Sequence, residues 1–114
     1  MVFNRGDICI VNFNPAKGGE IGKLRPAVVI SQKEDNEILD TIIVIPLSTI
    51  IEESAQPYRV FIPSREKLLK DSDACIYEVR ALSKVRAKEK IAKLLPRELE
   101  TIEKCLCSIL TFNS

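Results

Sequence analysis

The stretch Asn14–Ser31, NPAKGGEIGKLRPAVVIS, decides how this chain is read. It runs from glycines and charges through an Arg25-Pro26 pair straight into an apolar segment, the order of a loop feeding a strand. The loop over 14–24 is either a solvated hairpin connection or a device that holds Lys17, Glu20, Lys23 and Arg25 over a ligand. Pro26–Ser31 reads as a strand buried on both faces, because its apolar run is unbroken. Before the loop, Asp7–Phe13 alternates, with Ile8 and Ile10 on one face and Cys9, Val11 and Phe13 on the other. Arg5-Gly6-Asp7 is the turn that leads into it.

Further along, Thr41–Leu47 and Tyr58–Ile62 read as strands, the latter bounded by Pro57 and Pro63. Gln32–Asp40 and Ser48–Gln56 read as polar connections. Ser64 suits the N-cap of a helical turn over Arg65–Leu69, and Asp71–Asp73 reads as a break. A strand is expected over Ala74–Leu82, with a short one near Ala92–Leu94. Pro96 to about Leu110 is a helix: Pro96 fits its first position, Glu98 and Glu100 its positive end. Leu99, Ile102, Leu106, Ile109 and Leu110 form its apolar stripe. Short strands followed by a helix give a mainly β (α+β) domain over residues 1–114, a small twisted barrel or sandwich capped by an amphipathic helix.

Composition narrows the chemistry. The chain has 114 residues, no histidine and a formal net charge of +1. Without histidine there is no Ser-His-Asp triad, no Cys-His dyad and no histidine-ligated metal. Cys9, Cys75, Cys105 and Cys107 contain no Cys-x-x-Cys spacing, so packed, reduced thiols are expected and no metal or other cofactor. Seven basic residues between Arg80 and Arg97 stand against one acid, Glu89; this is a solvated face or a phosphate-binding one. The glycines of the opening loop do not make a phosphate loop, since only three residues separate Gly18 from Gly22 and Leu24 follows Lys23. No run approaches the roughly 20 apolar residues of a membrane span. The first residues lack an apolar signal segment, so a cytoplasmic protein with no membrane contact is expected.

Several motifs then fall in a recognisable order: Arg5-Gly6-Asp7, Asn12-Phe13-Asn14-Pro15, Lys17-Gly18-Gly19-Glu20, Gly22-Lys23-Leu24-Arg25-Pro26, Ile45-Pro46-Leu47-Ser48 and Glu78-Val79-Arg80. Together they resemble the toxins of MazF/PemK/Kid-type toxin–antitoxin pairs over nearly the whole chain. The Glu20 to Arg25-Pro26 segment is the most specific part. The resemblance implies an SH3-like, strongly curved β-barrel with a C-terminal helix, paired as a homodimer. It implies a metal-independent endoribonuclease (an mRNA interferase) that cuts single-stranded RNA at short sequences and leaves 2′,3′-cyclic phosphate and 5′-hydroxyl ends. It also implies a cognate antitoxin whose tail blocks the same groove.

That chemistry suits a chain without histidine, because the substrate's own 2′-hydroxyl is the nucleophile. Arg25 is the leading catalytic candidate: a guanidinium grips two phosphate oxygens at once, and Pro26 holds Arg25 extended. The alternative is an Arg25 paired with Glu20 or another acid. Ser48 stands where similar toxins usually carry threonine and could donate to the scissile phosphate, with Thr49 as substitute if the loop shifts by one. Its alternative is a serine bonding its own backbone. Glu20 either accepts a proton or, the favoured role, orders the loop. Tyr77 stands where some relatives carry an acid and Glu78 where they carry glutamine, so the general base stays open; on a continuous strand Glu78 would face away. Arg80 matches a phosphate-contacting position. Asn14, Lys17, Lys23 and Gln56 are candidates for RNA binding and base reading. Phe13 and Tyr58 could stack on bases, but core or dimer contacts are the stronger expectation. Two rival functions remain, a catalytically weak RNA- or antitoxin-binding module and a CcdB-like gyrase poison of the same fold.

Overall fold

The computed structural model describes residues 1–13, 24–53 and 55–112. Seven strands and two α-helices follow in the order β1 (Asp7–Asn12), β2 (Leu24–Val29), α1 (Lys33–Ile38), β3 (Thr41–Ser48), β4 (Arg59–Ile62), β5 (Ser72–Cys75), β6 (Arg80–Ser83), β7 (Ala87–Lys93) and α2 (Pro96–Leu110). All recorded strand pairings are antiparallel, and the sheet runs β4-β5-β3-β2-β1-β7 with β6 also on β3. The mainly β fold with its terminal helix is as expected, except that this order does not close: no ladder joins β4 to β7.

The central strands are buried on both faces, as the unbroken run in β2 requires. Ile8, Val28, Ile45, Leu47, Val60, Ile62 and Ile76 form one core with Ile102 and Cys105 of α2. Cys9, Val11, Ala27, Val29, Ile42 and Val44 form a second with Phe3, Leu82 and Ala87. The alternation of β1 is therefore the division between two cores, with Ile10 packed on the first and Phe13 on the second. Gly6 links the strands: its N–H donates to the Val29 carbonyl at 2.7 Å and its own carbonyl accepts from Leu94 at 2.9 Å. Its φ of +95° strains any residue with a Cβ.

Several local readings are corrected. The polar connection before β3 contains α1, organised by buried Asn36, whose side-chain amide donates to the carbonyls of Phe3 and Ser31. Arg65–Leu69 is no helical turn and Ser64 caps nothing: Arg65 and Leu68 exchange backbone hydrogen bonds around Glu66, which has a φ of 48°. Asp71–Asp73 is not a break; Ser72 and Asp73 belong to buried β5. Ala87–Lys93 is a full strand where only its end was expected, because pairing with β1 overrides the weak strand propensity of AKEKIAK. Leu110 lies off the apolar stripe and is exposed.

The expected strand over Ala74–Leu82 is two strands with an extrusion between them. Three steps along β3, from Leu47 to Val44, correspond to six on the facing chain, from Ala74 to Arg80. The three extra residues, Ile76–Glu78, form a 3-10 turn. It bulges beside Pro46, which has no N–H to give to a ladder. Ile76 is buried in the first core, whereas Tyr77 and Glu78 are exposed.

Candidate functional site

The register of the sheet aligns Arg25 with Ser48. The pairs Ala27↔Pro46, Val28↔Ile45 and Val29↔Val44 join β2 to β3; continued two residues, this register sets Arg25 opposite Ser48. Opposed residues share a face. Across β5 and β4 the row continues through Ser48↔Asp73 and Asp73↔Phe61. Arg25 is half-buried, and among the described residues no hydrogen bond or ion pair engages its guanidinium. Ser48 Oγ accepts from the Ile50 N–H at 3.1 Å. The backbone-bonded reading of Ser48 is thus realised, yet this bond uses a lone pair and leaves the hydroxyl proton free to donate.

What holds Ser48 is a network absent from the sequence reading. Arg59 on β4 donates to the Ile50 carbonyl at 2.9 Å and pairs with Glu52 at 3.6 Å and Asp73 at 3.5 Å. Asp73, 2% exposed, also accepts the Glu52 N–H at 2.8 Å. These contacts pin residues 50–52 and so fix the end of β3. With Ile51, Glu53, Ala55, Gln56 and Phe61 they line a concave pocket of about 540 Å³ beside Ser48. Gln56, a predicted base reader, is part of its wall. Thr49 is exposed next to Ser48.

Glu78 does not lie on a continuous strand. The 3-10 turn interrupts strand alternation, and Glu78 lies against Cys75, the partner of Arg59 in the β4–β5 ladder. Burial pushes the Cys75 thiol up; Arg59 opposes this and Glu78 adds to it. On the other flank, Arg80 sits over the Phe13 ring at 5.6 Å from its centroid, and Arg86 donates to the Asn12 carbonyl at 3.1 Å. Val11 pairs with Arg25, so three guanidiniums surround the end of β1. Among the described residues none of the three has an acidic partner. Asn14, Lys17, Glu20 and Lys23 lie outside the described residues.

Of the two stronger expectations for Tyr58, core or dimer contact, the core one is not met. Tyr58 is 57% exposed and Tyr77 is 71% exposed; their rings pack at 6.1 Å and 52°. Asp73, Arg59, Arg86 and Tyr77 were not singled out as site residues. Sequence carried no signal for Asp73, since an Asp-Ser-Asp run ordinarily marks a turn.

Comparison with known proteins follows this geometry. The family described as PemK-like, MazF-like toxin of type II toxin-antitoxin system matches residues 4–110. The Endoribonuclease MazF of Staphylococcus saprophyticus is 31% identical over 106 residues, 92% of this chain and 88% of that protein. The crystal structure of MazF from Deinococcus radiodurans superposes with a TM-score of 0.80 at 24% identity, covering 97% of this chain and 98% of the other. A MazE-MazF crystal structure from the same organism gives 0.81 at 24% identity, covering 99% of each chain. On the family match and the Staphylococcus relative, this chain belongs to the PemK-like, MazF-like toxins of type II toxin–antitoxin systems.

Proposed function

We propose that this chain is an endoribonuclease toxin that cuts single-stranded RNA at short sequences, with mRNA as its cytoplasmic target, and is neutralised by a cognate antitoxin. The observation that supports the reading is the β2–β3 register, which when continued sets Arg25 opposite Ser48, next to guanidiniums that have no acidic partner among the described residues. A relative named as an endoribonuclease and a MazE-MazF complex of the same fold support it.

The reaction needs no group the chain lacks. The substrate 2′-hydroxyl attacks the adjacent phosphorus, its proton passes to a base, and the bond to the 5′-oxygen breaks as that oxygen takes up a proton from an acid or from water, leaving a 2′,3′-cyclic phosphate and a 5′-hydroxyl. Negative charge grows on the non-bridging oxygens in the transition state. Arg25 meets it with a planar, permanently charged donor pair, and Ser48 adds its hydroxyl proton. Glu20 and Glu78 are the candidates for the proton acceptor; Asp73 is already committed to Arg59 and the Glu52 N–H. Arg80 and Arg86 carry flanking phosphates, and loop residues including Gln56 read bases. The chain works as a homodimer, residues 1–114 acting as one unit.

End chemistry tests this reading. RNA fragments made by the protein should be labelled at their 5′ ends by polynucleotide kinase without prior dephosphorylation, and their 3′ ends should resist ligation until the cyclic phosphate is opened and removed. Fragments with 5′-phosphates would contradict the 2′-hydroxyl mechanism. A protein that binds RNA without cutting it would favour the binding-module alternative, and inhibition of DNA supercoiling would favour the gyrase poison.

A further inference from the structure

The extruded turn between β5 and β6 presents an aromatic pair with no task in the reaction above. We propose that Tyr58 and Tyr77 form a stacking platform for one base of the RNA strand, beside the scissile phosphate; this rests on the endoribonuclease reading. Both rings are largely exposed, and they pack on each other at 6.1 Å. The bulge carries Tyr77 and Glu78 outward while Ile76 stays buried.

Its position fits a base. Cys75, the last residue of β5, lies one strand over from β3 and two residues along from the Ser48↔Asp73 pair. At strand spacings of ~4.8 Å and rises of ~3.3 Å this is about 8 Å from Ser48. The 3-10 turn carries Tyr77 outward by about 4 Å more, a short reach along an RNA strand. Arg80, without an acidic partner among the described residues, follows three residues after Tyr77 and can take a phosphate on the far side of that base. Single-stranded RNA is bound by this combination of cations along the backbone and aromatic faces for splayed bases. The tyrosine rings accept any base by stacking, and their hydroxyls add a polar edge that favours some bases over others.

The sequence supplies an internal reporter: the chain has two tyrosines and no tryptophan, so its intrinsic fluorescence comes from this pair alone. The probe is the mapped cleavage sequence with a 2′-deoxyribose at the attacking nucleotide, which binds without being cut. Titration should quench the tyrosine emission, in wild type and in the single-reporter variants Tyr58→Phe and Tyr77→Phe, which keep a stacking ring. Tyr77→Ala should raise KM roughly 5- to 150-fold, the range of one lost stacked base, with kcat within about threefold and an unchanged oligomeric mass. Tyr77→Phe should restore KM. Wild-type kinetics for Tyr77→Ala, or emission indifferent to bound probe, would overturn the proposal. So would a Tyr77→Ala variant that cuts normally but escapes its antitoxin, or one that falls apart into monomers; these would assign the pair to a protein interface. Failure of the ribonuclease reading looks different, because no RNA is then cut by wild type. Quenching by uncut long RNA would in that case still support the platform, and no quenching would remove it too.

Discussion

Arg59 shows how much of this site rests on side chains outside the chemistry. Its guanidinium holds the Ile50 carbonyl, Glu52 and Asp73 together behind Ser48. Arg59→Ala should therefore lower kcat without touching substrate, and it should leave buried Asp73 with an uncompensated charge, costing about 3 kcal/mol of stability; a denaturant melt and a rate measured on the same sample check both. At Ser48 itself, Ser48→Ala should cut kcat roughly 10- to 1,000-fold, while Ser48→Thr, which keeps the hydroxyl, should stay near wild type. A serine acting only as a backbone acceptor would leave the alanine variant active. The thiols separate by burial. Cys9 is pushed up to about 11 by burial and by Asp7, and burial also raises Cys75 and Cys105. Cys107 is the one not buried, so at pH 8 a chromogenic thiol reagent should find one fast equivalent per chain, lost in Cys107→Ser. Rapid reaction of all four would contradict the packing.

At the scale of elements, one segment ties the two ends of the fold. Residues 63–68 reach β7 through the Lys67 N–H to the Ile91 carbonyl at 3.0 Å, and reach α2 through the Arg65–Glu98 pair. Glu98 also accepts the Leu95 N–H at 2.7 Å, so one carboxylate both caps α2 and anchors the strap. Burial alone would raise the Glu98 carboxyl; hydrogen bonds from Arg65 and Leu95 and the charges of Arg65 and Arg97 outweigh it, and its pKa is lowered. A lowered carboxyl adds stability above its unfolded pKa of about 4.3, and this is lost as pH falls through the lower folded value. Glu98→Gln should thus cost about 3 kcal/mol at neutral pH, and the gap from wild type should narrow below about pH 4. A gap constant with pH in urea melts would show that the pair is not the cause.

The same elements mark where sequence was legible. Helix α2 could be read from Pro96 to Leu110 because periodicity, first-turn acids and proline agree. The Arg25–Ser48 candidates come from motif order, and the β2–β3 register, continued two residues, sets them opposite each other. Asp73 and the Ile76–Glu78 bulge could not be read, since both depend on partners distant in sequence. A buried aspartate in a strand is stable only once Arg59 and the Glu52 N–H are in place. A three-residue extrusion becomes visible only when β5 and β6 are laid along the same edge of β3. The strap failed for a local reason: Glu66 takes a left-handed conformation that no propensity favours for glutamate.

For the whole molecule, two cores on opposite faces of β1–β3 make a stiff platform, and the candidate residues Arg25 and Ser48 sit at the margin where the second core gives way to polar residues. Rigidity there matters because a misplaced donor loses most of its value for the transition state. Gly6, bonded to Val29 and Leu94, is part of that stiffness, and Gly6→Ala should cost about 1–2 kcal/mol through its positive φ, read as a lower melting temperature with KM unchanged. In the proposed reaction this platform aims Arg25 at a phosphate. The most direct test is to incubate the purified protein, free of antitoxin, with long single-stranded RNA in EDTA and map the new ends beside an Arg25→Ala variant of equal stability. Cuts are expected at a recurring short sequence, slowed roughly 100- to 1,000-fold or more in the variant. Intact RNA with folded wild-type protein, or equal cutting by Arg25→Ala, would contradict that expectation.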